Sequence, residues 1–151
     1  MLDDRTLAHI RRELQQLERL LAEYHELIEK SRTTEPTLVE YTALGAVLHS
    51  FYNGIENIFQ TIGKRVDGGI PTGESWHKDL LLQMGRKTES RTPVISQTTV
   101  ERIQPYLGFR HVARHAYTFV LEWGKMQKLV WELRSVWLAV QADVESFMEV
   151  S

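Results

Sequence analysis

Between residues 3 and 30 apolar side chains fall at Leu7, Ile10, Leu14, Leu17, Leu21, Tyr24 and Ile28, in alternating steps of three and four. That spacing puts them on one face of a helix and predicts a bundle helix of heptad type. Asp3 and Asp4 suit its N-terminus, where carboxylates meet unpaired backbone N–H groups, and "SRTTEP" ends it in a loop. Pro36 suits the first turn of a second helix, where a missing N–H is not felt. In that helix Leu44, Val47, Leu48, Phe51, Ile55, Ile58, Phe59 and Ile62 keep the helical period. Gly45 and Gly54 lie inside it, each costing about 1 kcal/mol relative to alanine, and predict close approach of a neighbour.

Further along, "VDGGIPTGES" is a glycine-rich loop and "SWHKDLLLQM" predicts a short third helix that stops at Gly85. The polar stretch "GRKTESRTPVIS" predicts a mobile loop. Ser96 or Thr98 then caps a helix carrying Val100, Ile103 and Leu107, with Pro105 and Gly108 expected to bend or break it. After an irregular piece around "TFVLEWGKM", the residues Leu129, Val130, Leu133, Val136, Trp137, Val140, Val144 and Phe147 predict a closing helix or helix pair. No segment alternates with period two long enough to make a strand. The expected architecture is an all-α bundle of about five or six helices in one domain over residues 1–151.

Composition narrows the chemistry. Eighteen basic and 20 acidic residues give a formal charge of −2, so no global field draws the chain to nucleic acid or membrane, and any RNA contact must be local. There is no cysteine, which removes disulfides, thiolate metal sites and cysteine nucleophiles. With a charged beginning, "MLDDRTLAHIRREL", and no long apolar run, the expectation is a soluble, cytoplasmic protein.

Against this neutral background, residues 109–117 read "FRHVARHAY", two arginines, two histidines and a tyrosine close together. Three readings compete. His111 and His115 are four apart and share a helix face, as a metal pair would, but a metal site needs a third ligand, and Val112 occupies the place of the acid in the protease pattern H-E-x-x-H. The plainest reading pairs Arg110 and Arg114 with acids, half-buries Tyr117 and leaves the histidines at the surface. The third is acid–base chemistry on a phosphodiester: histidine takes or gives a proton near neutrality, and arginine offers forked donors to phosphate oxygens. Arg110 and His115 are five positions apart, so on a straight helix they point about 140° apart. Either the turn is distorted by the upstream proline and glycine, or a second copy of the helix completes the site across a dimer interface.

Arg110, His115 and Tyr117 together spell R-x-x-x-x-H-x-Y, which resembles the signature of HepT toxins in the HEPN (higher eukaryotes and prokaryotes nucleotide-binding) superfamily. "FYNGIENIF" in the second long helix and "GESWHKDLL" at the third resemble HepT-like proteins as well, in the same order along the chain. The resemblance implies a HEPN-type helical bundle and a metal-independent ribonuclease toxin of a type VII-like toxin–antitoxin system, acting on transfer or messenger RNA with no cofactor. It implies a homodimer with Arg110 binding and polarising the phosphate and His115 acting as general base or acid. The products would be a 2′,3′-cyclic phosphate and a 5′-hydroxyl. Arg114 and His111, at variable positions of the motif, are assigned to phosphate or RNA binding. Tyr117 would be the residue to which an MntA-like nucleotidyltransferase antitoxin transfers AMP, switching the toxin off. A non-catalytic HEPN-type module binding RNA or nucleotides is the alternative. Glu56, Asn57 and His77 are further candidates for the border of the site, with His77 expected to bond to backbone, and Trp76 for base stacking.

Overall fold

The computed structural model describes residues 2–115 and 121–151, apart from the side chains of Arg114 and His115. Six helices follow one another: α1 (Asp4–Glu23), α2 (His25–Lys30), α3 (Leu38–Arg65), α4 (Trp76–Met84), α5 (Gln97–His115) and α6 (Trp123–Val150). Among the described residues there is no strand, only an isolated bridge between Thr88 and Arg91. The bundle is all-α, as expected, and no described helix is long and apolar enough to cross a membrane.

Each helix starts where local chemistry allows. The Asp3 carboxylate accepts the Thr6 N–H at 2.7 Å and caps α1. At α3 a capping box forms: the Thr37 hydroxyl accepts from the Glu40 N–H, and the Glu40 carboxylate accepts from the Thr37 N–H. Pro36 therefore precedes the cap instead of opening the helix. The heptad face of the first segment is buried at Ile10, Leu14, Leu17, Leu21 and Ile28, although α1 breaks at Tyr24 before α2 resumes.

α3 is the central helix, packed against α1, α4, α5 and α6. Its apolar period from Leu44 to Ile62 is wholly buried. Gly45 and Gly54 have the expected cause. A Cβ on Gly54 would lie 2.5 Å from a Leu17 methyl of α1, and one on Gly45 would lie 3.2 Å from Leu121. Trp137 of α6 is fully buried with its ring edge against Phe51, and its indole N–H reaches the Glu18 carboxylate of α1. That bond, with Arg134 second, holds the Glu18 carboxyl below its ordinary range.

Two further expectations are corrected. The segment between α4 and α5 is fastened, not free. Arg91 is 8% exposed and donates to both Asp67 oxygens, at 2.6 and 2.8 Å, and to the carbonyls of Gln83, Arg86 and Thr92. Val94 and Ile95 are buried, and their backbone N–H groups donate to the Met84 carbonyl. The second correction concerns α5, which continues through Pro105 and Gly108 to His115. Pro105 and Glu101, the residue whose carbonyl loses its helical donor, are both exposed, so water can meet that carbonyl. On the opposite face Val100, Ile103 and Tyr106 are buried, and the Tyr106 hydroxyl donates to the Leu129 carbonyl at 2.7 Å. Packing there overrides the local preference for a break.

Candidate active site

α5 enters the bundle from a cap built on Ser96, whose hydroxyl accepts the Thr99 N–H while Asp143 of α6 accepts from the Ser96 N–H and the Thr99 hydroxyl. With its beginning fixed and Val100, Ile103 and Tyr106 anchored in the core, the second half of α5 presents Arg110 toward α3. The Arg110 Nε–H donates to Oδ1 of Asn53 at 3.1 Å. One N–H of the guanidinium is thereby used for aim, and the terminal NH₂ groups keep the forked geometry that suits phosphate oxygens.

Beside this pair, on the same stretch of α3, lie Tyr52 and Glu56. The Tyr52 ring is 1% exposed, and its hydroxyl has no aligned hydrogen bond among the described residues. Burial and the nearby Glu56 carboxylate push that hydroxyl well above its ordinary value of 10, with the Arg110 charge pulling the other way. Tyr52 is therefore a neutral phenol facing an acid and a guanidinium. The Glu56 carboxylate is met from α4, where Nδ1 of His77 lies 2.7 Å from its Oε2. The His77 ring is stacked on its neighbour Trp76, with centroids 3.7 Å apart.

Of these groups Arg110, His77 and Trp76 border a cleft of about 710 Å³ between α4 with its preceding loop and α5. Trp76, His77, Lys78, Gln104, Arg110 and His111 all line it. Four side chains of arginine, lysine and histidine type stand around one opening against a single carboxylate, Glu74, and with an indole beside them they suit a ligand that carries phosphate and a flat base. A different cleft of about 420 Å³, between α1 and α6 at Arg11, Glu18 and Glu145, has none of this arrangement and lies away from it.

The structure thus brings Arg110, His111, His77 and Trp76 to one cleft, with Glu56 buried behind His77. His77 is held by a carboxylate and not, as expected, by backbone. Asn57 is exposed, and the asparagine bonded to Arg110 is Asn53, one turn earlier in the same quoted stretch. A helical wheel placed on Phe51, Ile55 and Ile58 would have separated the two: Asn53 lies three residues before Glu56, on the same edge. His115 falls at the last position of α5, its side chain outside the described residues together with that of Arg114, and Tyr117 lies outside them as well.

In a comparison with protein families, a family model described as "HepT-like protein" aligns with residues 43–151. The match begins inside α3 and spans Asn53, Glu56, His77, Arg110, His115 and Tyr117. No curated protein and no solved structure matches the chain.

Proposed function

The chain belongs to the HepT-like family of the HEPN superfamily, a family of toxin-like proteins, and on that premise we propose that it is the ribonuclease toxin of a toxin–antitoxin pair. In this reading it acts in the cytoplasm as a homodimer and cleaves RNA without a metal. Arg110 binds a non-bridging phosphate oxygen and stabilises the charge that gathers there as a ribose 2′-hydroxyl attacks phosphorus. His115 carries a proton of the same step. The neighbouring ribose oxygen being the nucleophile, the ends are a 2′,3′-cyclic phosphate and a 5′-hydroxyl.

The observation that carries the dimeric form of this reading is the continuity of α5. Arg110 and His115 belong to one unbroken helix, and at 3.6 residues per turn a five-residue step turns about 140°. A single copy of the helix aims the two motif positions apart, whereas two copies let the arginine of one chain meet the histidine of the other. Apolar surface beside the motif favours such pairing: Val112 is 56% exposed, and it borders a groove of about 360 Å³ with Phe109, Leu121 and Met126. Mixing the inactive Arg110→Ala and His115→Ala chains should restore cleavage, because a mixed dimer holds one site with both groups intact. Mixed dimers that form but stay inactive would refute a site shared between chains.

Tyr117 is the off switch in this account. A nucleotidyltransferase antitoxin would place AMP on its hydroxyl, adding bulk and negative phosphate that competes with RNA for Arg110 or Arg114. Tyr117→Phe is expected to cleave RNA as wild type does and to be insensitive to the antitoxin with ATP. Loss of cleavage with an intact fold would make Tyr117 part of the catalytic machinery instead.

A further inference from the structure

Breaking a phosphodiester by 2′-hydroxyl attack needs two proton transfers, one from the attacking oxygen and one to the departing 5′-oxygen. The motif provides one histidine. The cleft holds another at a built position: His77, at the start of α4, lines the same opening as Arg110. Its Nδ1 is engaged 2.7 Å from the carboxylate of Glu56, whose side chain is 5% exposed, while the His77 side chain is 20% exposed. A carboxylate behind Nδ1 fixes the ring's tautomer and orientation and leaves Nε2 as the nitrogen available to a ligand. Protonated, the ring forms an ion pair with a carboxylate that is otherwise buried. Trp76, stacked on the ring, limits its rotation further.

We propose that His77 is a second catalytic residue of this cleft, the general acid for the 5′-oxygen of an RNA phosphodiester, with Glu56 as its positioning residue; the proposal rests on the ribonuclease reading above. In the step, the 2′-oxygen forms its bond to phosphorus and passes its proton to the base. The bond from phosphorus to the 5′-oxygen breaks, that oxygen keeps the electron pair, and it takes the proton from Nε2 of His77. The ring is left neutral, paired with Glu56, and regains a proton from water. Arg110 stays on the non-bridging oxygen throughout.

The test compares two substrates of one sequence, an ordinary RNA and an RNA whose scissile 5′-oxygen is replaced by sulfur, a leaving group that departs without protonation. On ordinary RNA, His77→Ala and His77→Gln should fall about 10²-fold or more below wild type. On the 5′-sulfur substrate both should cut near the wild-type rate, and Glu56→Gln should show the same selective recovery. Arg110→Ala should fail on both, since phosphate binding is needed with either leaving group. Glutamine at 77 keeps a donor for Glu56 and so guards against a mere folding defect. If wild type cuts and the His77 variants match it on ordinary RNA, or stay slow on both substrates, His77 is not the acid although the ribonuclease reading stands. If unmodified wild type cuts neither, the ribonuclease reading falls and this proposal with it.

Discussion

Arg110→Ala is expected to lower RNA cleavage by at least about 10²-fold while leaving the bundle folded, the scale seen when a positioned donor to a developing oxyanion is removed. The guanidinium is a positive charge of the cleft, aimed by one hydrogen bond to Asn53 and half-buried on an unbroken helix. Its loss leaves the Asn53 amide oxygen to water and should cost stability only on the order of 1 kcal/mol. Arg110→Lys should recover little, because an ammonium supplies a point charge without the planar fork and has no Nε–H for Asn53. Asn53→Ala should have a smaller effect of the same kind, lowering the rate through the aim of Arg110. Cleavage rates and thermal melts of the three variants check this. A variant at position 110 that folds and cuts at the wild-type rate would remove Arg110 from the chemistry.

The largest expected effect on stability is at the other end of α4. Arg91→Ala should destabilise the protein by about 3–5 kcal/mol, the range for removing one partner of a buried ion pair. The side chains of Arg91 and Asp67 are 2% and 6% exposed, and the five guanidinium hydrogen bonds join the end of α3, the end of α4 and the following loop. Alanine would strand the Asp67 carboxylate, with the Gln83 amide at 2.8 Å left to it among the described residues, and leave three carbonyls short of a donor. Against a total stability of roughly 5–15 kcal/mol, that is a large fraction. Asp67→Ala and Arg91→Ala combined should cost less than the sum of the two singly, since neither charge is then left alone. Denaturant unfolding of the three variants measures it. A cost below about 1 kcal/mol for Arg91→Ala would mean that the pair is open to water.

What the sequence disclosed follows from range. The faces of α1, α3 and α6 were legible because burial imposes a period of 3.6 on apolar residues wherever a helix meets a core, and Ile10, Leu14, Leu17, Phe51, Ile55, Val136 and Trp137 all lie inside. Gly45 and Gly54 were legible for a related reason: a glycine in a long helix signals a neighbour too close for a side chain. The fastening of the loop before α5 was hidden, because its composition is polar and the side chain that ties it most heavily, Arg91, finds its partner 24 positions away at Asp67. Pro105 and Gly108 misled for want of a view of the exposed face on which they lie.

The site divides in the same way. The motif residues Arg110, His115 and Tyr117 could be read as a linear pattern, but only Arg110 has a described side chain. Its partner Asn53 is 57 residues distant, and the Glu56–His77 pair spans 21 residues and a glycine loop. Helical period marks Asn53 and Glu56 as neighbours on one edge without saying which helix faces that edge. Only the packing of α4 and α5 against α3 makes the choice.

The most direct test of the account uses purified protein shown by mass to carry no AMP, incubated with total cellular RNA in EDTA, with His115→Ala alongside and the fragment ends mapped. The account predicts cleavage by wild type alone, leaving 2′,3′-cyclic phosphate and 5′-hydroxyl ends. RNA left intact by both, or cut equally by both, would contradict it and return the Arg110 cleft to a binding surface.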